Sequence, residues 1–279
     1  MMALLQISAG KESGVTKIKE EEKMRINHNI MALNTHRQLG MNNVSASKSM
    51  EKLSSGLRIN RAADDAAGLS ISEKMRGQLR SMEQATRNAQ DGISLIQTAE
   101  GALNEVSDML VRIKELYTQE ANGTYNATDK ANITAEIAAL TAEIQNIGDK
   151  TTFNGITLLD GSLNKNIQIN EGTSDTLIIT LGTDISGLNP TTLAQSTTTI
   201  DTVSTARATL GALQNRLEHT VNNLGTTVEN LTAAESRIRD TDMAKEMMSF
   251  TKNNILTQAA QAMLAQANQN PQGVLQLLR

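Results

Sequence analysis

The stretch VSTARATLGALQNRLEHTVNNLGTTVENLTAAESRI, Val203 to Ile238, carries an apolar residue at every seventh position: Val203, Leu210, Leu217, Leu224, Leu231 and Ile238. A strict seven-residue step keeps one stripe of a long helix against a partner for many turns, because slight supercoiling holds the seam in place. Such a stripe needs a second one. It stands in the first half of the chain at Met75, Met82, Ala89, Ile96, Leu103 and Leu110, widened by Ala99, Val106 and Ile113. The spacing predicts two long helices packed on each other, and a building element rather than a pocket-bearing enzyme.

Composition agrees. Aromatic residues make up 1% of the 279 residues, with Phe153, Phe250, Tyr117 and Tyr125 as the whole set. A large globular core normally leans on aromatics for buried area, so burial here must come from aliphatic seams. Pro190 and Pro271 are the only prolines, which leaves long stretches free of the strongest helix breaker. There is no cysteine, which excludes disulfides, thiolate metal sites and cysteine nucleophiles. A net charge of −4 without a long basic run speaks against nucleic acid as a partner. No run of about 18 apolar residues occurs, so no membrane span is expected, and the first 23 residues lack the order of a secretory signal.

Along the chain, a polar amphipathic pattern begins near Met24, is broken at Ser54 to Asn60, and gives way to a helix expected from about Ala66 to Glu120. A second helix is expected over Asp129–Ile147, with Thr128 or Asp129 as its cap and Gly148 as a left-handed terminus. Asn154-Gly155, Asp160-Gly161 and Glu171-Gly172 punctuate short apolar runs over about 151–200 and read as hairpin signals. Helical pattern resumes near Asp201 and runs to Arg239. A last segment, Asp242 to Arg279, is rich in Ala, Gln, Asn and Met. The fold class is therefore mainly α, a long helical bundle with a small β-hairpin region. Both ends are amphipathic yet have no evident partner in the middle. A lone amphipathic helix is marginal in water, so the ends are expected to be largely disordered alone and to fold when other copies bury Ile30, Leu33, Ile255, Leu256, Met263, Leu264, Val274, Leu275 and Leu278.

The run KLSSGLRINRAADDAAGLSISEKMRGQLR, Lys52 to Arg80, resembles the N-terminal signature of bacterial flagellin, as does MRINHNIMALN from Met24. The segment Asn215 to Arg279 is similar to the family's C-terminal signature, and TFNGITLLDG, Thr152 to Gly161, adds to the likeness. The resemblance implies a rod domain over 77–235 and a terminal coiled-coil domain made from 24–76 with 236–279. Residues 1–23 have no counterpart in a typical member and are expected to be an extension ahead of a start at Met24. The implied role is a secreted subunit that polymerises helically into the flagellar filament. A hook–filament junction protein and a non-polymerising coiled-coil receptor binder are the alternatives. Partners implied by the family are other copies of the chain, a flagellin-specific secretion chaperone on Met243 to Leu278, the export apparatus, the filament cap and hook-junction proteins.

The stretch LVRIKELYTQ, Leu110 to Gln119, is similar to the flagellin helix recognised by an animal toll-like receptor. The likeness implies Arg112, Leu116 and Glu136 as contacts, while spacing alone reads them as a solvated charged face. His28, His36 and His219 are the only histidines and form no metal-protease helix. No catalytic residue, cofactor site or metal site is expected.

Overall fold

The computed structural model describes residues 28–172 and 175–277, with side chains described to residue 270. The expectations for residues 1–23 and for Leu278 lie outside the described residues, as do those for the side chains of Val274 and Leu275. In chain order the elements are α1 (Ile30–Ser55), α2 (Ala66–Glu120), α3 (Ala127–Lys150), β1 (Thr152–Phe153), β2 (Ile156–Thr157), β3 (Leu163–Gln168), β4 (Thr176–Leu181), α4 (Leu193–Arg239) and α5 (Met243–Leu277). The fold is mainly α with small antiparallel hairpins, as the periodicity requires. Contacts divide the chain into one unit of residues 57–240 and another of residues 1–56 with 241–279.

In the larger unit α2 and α4 run antiparallel along the two sevenfold stripes. Ala89, Ile96, Leu103 and Leu110 are buried on α2, and Val203, Leu210, Leu217 and Leu224 on α4. Met75, Met82, Leu231 and Ile238 are only half-buried. The difference is geometric: α3 and the body of the β3–β4 hairpin cover α2 from about Asn88 onward, whereas Met82 only borders a depression it shares with Ile169, Asn170, Asp175 and Thr176 at the hairpin's end and with α4. Two helices alone cannot enclose a side chain on all sides.

The hairpin supplies the third wall. In β4, Leu177, Ile179 and Leu181 are buried and alternate with Ile178 and Thr180, which face out. The strands pair from Leu163↔Leu181 to Gln168↔Thr176, and Asn88 Nδ2 donates to the Gln168 carbonyl at 3.1 Å. Asn154 and Gly155 take φ of 49° and 76°, the two positive values a tight β1–β2 turn demands.

Three boundaries differ from expectation. The cap of α3 is Asn126, whose side chain accepts from the Asp129 backbone while Asp129 bonds back to Asn126, a reciprocal capping box. Gly148 is not a left-handed terminus but lies buried inside α3, where a Cβ would meet the Ser186 backbone nitrogen at 2.7 Å. Helix α4 starts at Leu193, capped by Thr192, earlier than Asp201. The division between units also falls earlier than residue 76 and later than 236. Residues 57–76 belong to the larger unit because Ile59 is 2% exposed and the fully buried Ser72 donates to Glu235 Oε1 at 3.1 Å.

Candidate functional site

The smaller unit is built from α1 and α5, which pack along each other. Asn29 both caps α1, accepting from the Ala32 backbone at 3.0 Å, and donates its Nδ2 to the Ala267 carbonyl at 2.6 Å. At the other end Gly56 closes α1 with φ 72°, its carbonyl accepting from the Thr241 backbone at 3.0 Å. Asp242 Oδ1 accepts from Ala244 and Lys245 and so starts α5. The two ends therefore do have a partner within the chain, namely each other. This is the terminal coiled coil of both chain ends that the resemblance implies.

What that pairing buries is informative. The least exposed positions of α1 recur by threes and fours at Ala32, Thr35, Leu39, Asn42, Ala46, Ser49 and Leu53; those of α5 at Glu246, Phe250, Asn253, Thr257, Ala260, Leu264 and Ala267. This is a coiled-coil seam, but one lined mostly by small and polar side chains. Leu264, expected on an intermolecular surface, sits on this intrachain seam instead, because it falls on the step between Ala260 and Ala267.

Most of the large apolar residues point elsewhere. Among the described residues twelve stand exposed on α1 and α5, including Ile30, Leu33, Ile255, Leu256 and Met263, at 40–67% exposure. In the larger unit only Ile71, Val111, Ile178 and Leu193 do so among the described residues. Met247, Met248, Ile255 and Leu256 line one shallow apolar depression with Thr251 and Lys252. An exposed apolar surface of this extent is rare on a protein that works alone and marks a contact for another molecule.

The second set of expected site residues separates. Arg112 is exposed and donates to Glu136 Oε1 from Nε at 3.0 Å and Nη2 at 2.9 Å, and to Glu115 Oε2 from Nη1 at 3.2 Å. Glu136, then Glu115, holds the guanidinium above its ordinary pKa. Leu116 is 1% exposed and belongs to the core, so the expectation that it contacts a partner together with Arg112 is corrected. The signal was present in the sequence: Leu116 lies three residues beyond Ile113 on the buried stripe that includes Val106, Leu110 and Ile113.

Elsewhere polar groups serve the fold. Burial, and then Glu120, raises the pKa of Tyr117, and its hydroxyl donates to the Pro190 carbonyl at 2.8 Å. The Thr157 hydroxyl at 2.6 Å, followed by Ser162, keeps Asp160 below the usual carboxylate range. Among the described residues no three His, Cys, Asp or Glu side chains gather as metal ligands, and no helix is long and apolar enough to cross a membrane.

Comparison with known proteins bears on which molecule covers the apolar face. Residues 26–164 match the bacterial flagellin N-terminal helical region, and residues 193–278 the bacterial flagellin C-terminal helical region. The flagellin of Bacillus subtilis (strain 168) is 53% identical over 304 residues, covering 92% of this chain and 100% of that protein. The flagellar filament 33 kDa core protein of Treponema phagedenis is 47% identical over 286 residues, with the same two coverages of 92% and 100%. Among solved structures, Bacillus cereus flagellin is 30% identical and covers 58% of this chain and 93% of that one, with a TM-score of 0.38.

Proposed function

This chain belongs to the bacterial flagellin family and is a structural subunit of the flagellar filament, an extracellular appendage; from that premise we propose how its residues build the polymer. The outward apolar face of α1 and α5, with Ile30, Leu33, Ile255, Leu256 and Met263, docks on neighbouring copies. A head-to-tail contact whose rotation does not close generates a helical filament rather than a ring. The observation that carries this reading is the balance in the smaller unit: its internal seam holds mostly small and polar side chains, with Leu39, Leu53, Phe250 and Leu264 among them, while most of its large apolar side chains face out. Such a pair is marginal alone, since helix stability comes chiefly from packing an apolar face. Copies docking on it supply that packing, and the ends gain most of their order at that step.

Before assembly the same face needs cover. A secretion chaperone of flagellin type on the Met-rich α5 fits, because methionine adapts to varied partners. Export through the flagellar apparatus and growth beneath a filament cap, on hook-junction proteins, complete the set of partners. The role is structural rather than catalytic. Arg112 and Glu136, exposed on adjacent helices, are the residues through which an animal toll-like receptor would engage the larger unit; Arg112→Asp lowers receptor activation and leaves filaments intact.

Seeding tests the assembly reading. Ile255→Asp combined with Leu256→Asp abolishes elongation on filament fragments under electron microscopy, while the larger unit's thermal unfolding stays unchanged. Normal elongation by that variant contradicts it.

A further inference from the structure

The methionines are divided between the two units in an uneven way. Met31, Met41 and Met50 on α1 and Met243, Met247, Met248 and Met263 on α5 are all 48–67% exposed. Met75, Met82 and Met109 of the larger unit are all half-buried. With no cysteine in the chain, the thioethers are its most readily oxidised side chains, and oxidation follows exposure.

We propose that these seven methionines form a peroxide-sensitive modification site, open in the free subunit and closed in the filament. The inference rests on the assembly reading above, since docking copies are what shield the sulfurs. In the reaction the thioether sulfur attacks one oxygen of hydrogen peroxide. The S–O bond forms as the O–O bond breaks, a proton passes to the departing hydroxide, and the products are methionine sulfoxide and water. Sulfur is oxidised by two electrons and peroxide is reduced by two.

The consequence is steric and electrostatic. A sulfoxide puts a strong hydrogen-bond acceptor where an apolar side chain stood. Burying it between copies without a donor is costly, whereas in the free subunit it stays in water at no cost. Oxidation therefore acts on assembly and spares the larger unit, whose three methionines lie partly covered by α4, α3 or the hairpin.

The test uses the full chain in both states. Free subunits and preformed filaments are exposed to hydrogen peroxide, and sulfoxide is mapped residue by residue by peptide mass. Treated subunits are then offered filament fragments, before and after incubation with methionine sulfoxide reductases. Expected are fast oxidation of the seven in the free chain, slow oxidation in filaments, and elongation falling about tenfold or more, restored by the reductases. Equal oxidation rates in both states overturn the proposal, as does undiminished elongation by the oxidised chain or a loss that persists once the thioethers are regenerated. Changing all seven to leucine, a volume-conserving swap, leaves elongation insensitive to peroxide; a folded variant of this kind that still loses elongation also overturns it. If untreated subunits fail to elongate, it is the assembly reading that falls.

Discussion

Replacing Gly148 by alanine places a methyl group where α3 has no room for one. Its Cβ would lie 2.7 Å from the Ser186 backbone nitrogen, 2.9 Å from the Ser186 Cα and 3.1 Å from its Cβ, against an optimum of about 3.5–4.0 Å between carbons. The Ser186 segment cannot simply retreat. The neighbouring Ile185 is fully buried, and its N–H donates to the Leu159 carbonyl at 2.9 Å. Alanine favours the helix by about 0.5–1 kcal/mol over glycine, while overpacking costs about 1–3 kcal/mol. At the middle of both ranges the clash wins by about 1 kcal/mol, within a span of about 0–2.5 kcal/mol. Gly211 of α4 has nothing within 4 Å of its Cβ position, so Gly211→Ala gains about 0.5–1 kcal/mol. Urea unfolding followed by the helical circular dichroism signal separates the two signs. Gly148→Asn decides the cause, since asparagine tolerates a left-handed terminus but is bulkier than alanine. The packing account has Gly148→Asn at least as damaging as Gly148→Ala; a well-tolerated asparagine, or a Gly148→Ala protein as stable as Gly211→Ala, refutes it.

Three further perturbations follow the same logic. Leu217→Ala, at a fully buried position, loses about 2–5 kcal/mol; Leu231→Ala, on the half-buried stretch of the same stripe, loses clearly less in the same urea experiment, and equal losses would mean the stripe is evenly enclosed. Asn126→Ala removes one half of the α3 capping box and lowers stability by about 1 kcal/mol, with hydrogen exchange rising first in the opening turn of α3. Asp160 has a folded pKa below its unfolded value of about 3.9, so its contribution to stability is complete above that value and is lost as pH falls through the lower folded one. Asp160→Asn therefore flattens the acid side of the stability curve and leaves its steepness near neutral pH unchanged; an unaltered acid limb counts against the Thr157 and Ser162 hydrogen bonds as the cause.

The parts of this fold that repeat were legible in the sequence. Sevenfold stripes announce helices α2 and α4 because a seam must present the same face over many turns, and Asn154-Gly155 announces its turn because few dipeptides accept two positive φ values. What periodicity cannot weigh is the third neighbour. Leu217 and Leu231 are equivalent in the pattern, and only the placement of the hairpin and α3 makes one buried and the other half-open. Gly148 misleads for a related reason: glycine near a helix end serves either a backbone bend or a close approach, and the approaching Ser186 is remote in sequence. On α1 and α5 the large apolar residues are expected to meet other copies, and most of them do face out, while the two helices meet mainly through Ala, Ser, Thr and Asn, with Leu39, Leu53, Phe250 and Leu264 beside them. A list of hydrophobic positions could not show that Leu264 belongs inside while Met263 does not.

Hydrogen exchange of the whole chain, measured once as free subunit and once as filament, bears most directly on the claim that α1 and α5 are completed by other copies. In the free subunit their amides should exchange far faster than those around Leu103–Leu110 and Leu210–Leu217, and in the filament they should slow to match them. Amides of α1 and α5 that are already as protected in the free subunit as that core, or that do not change on polymerisation, would contradict it.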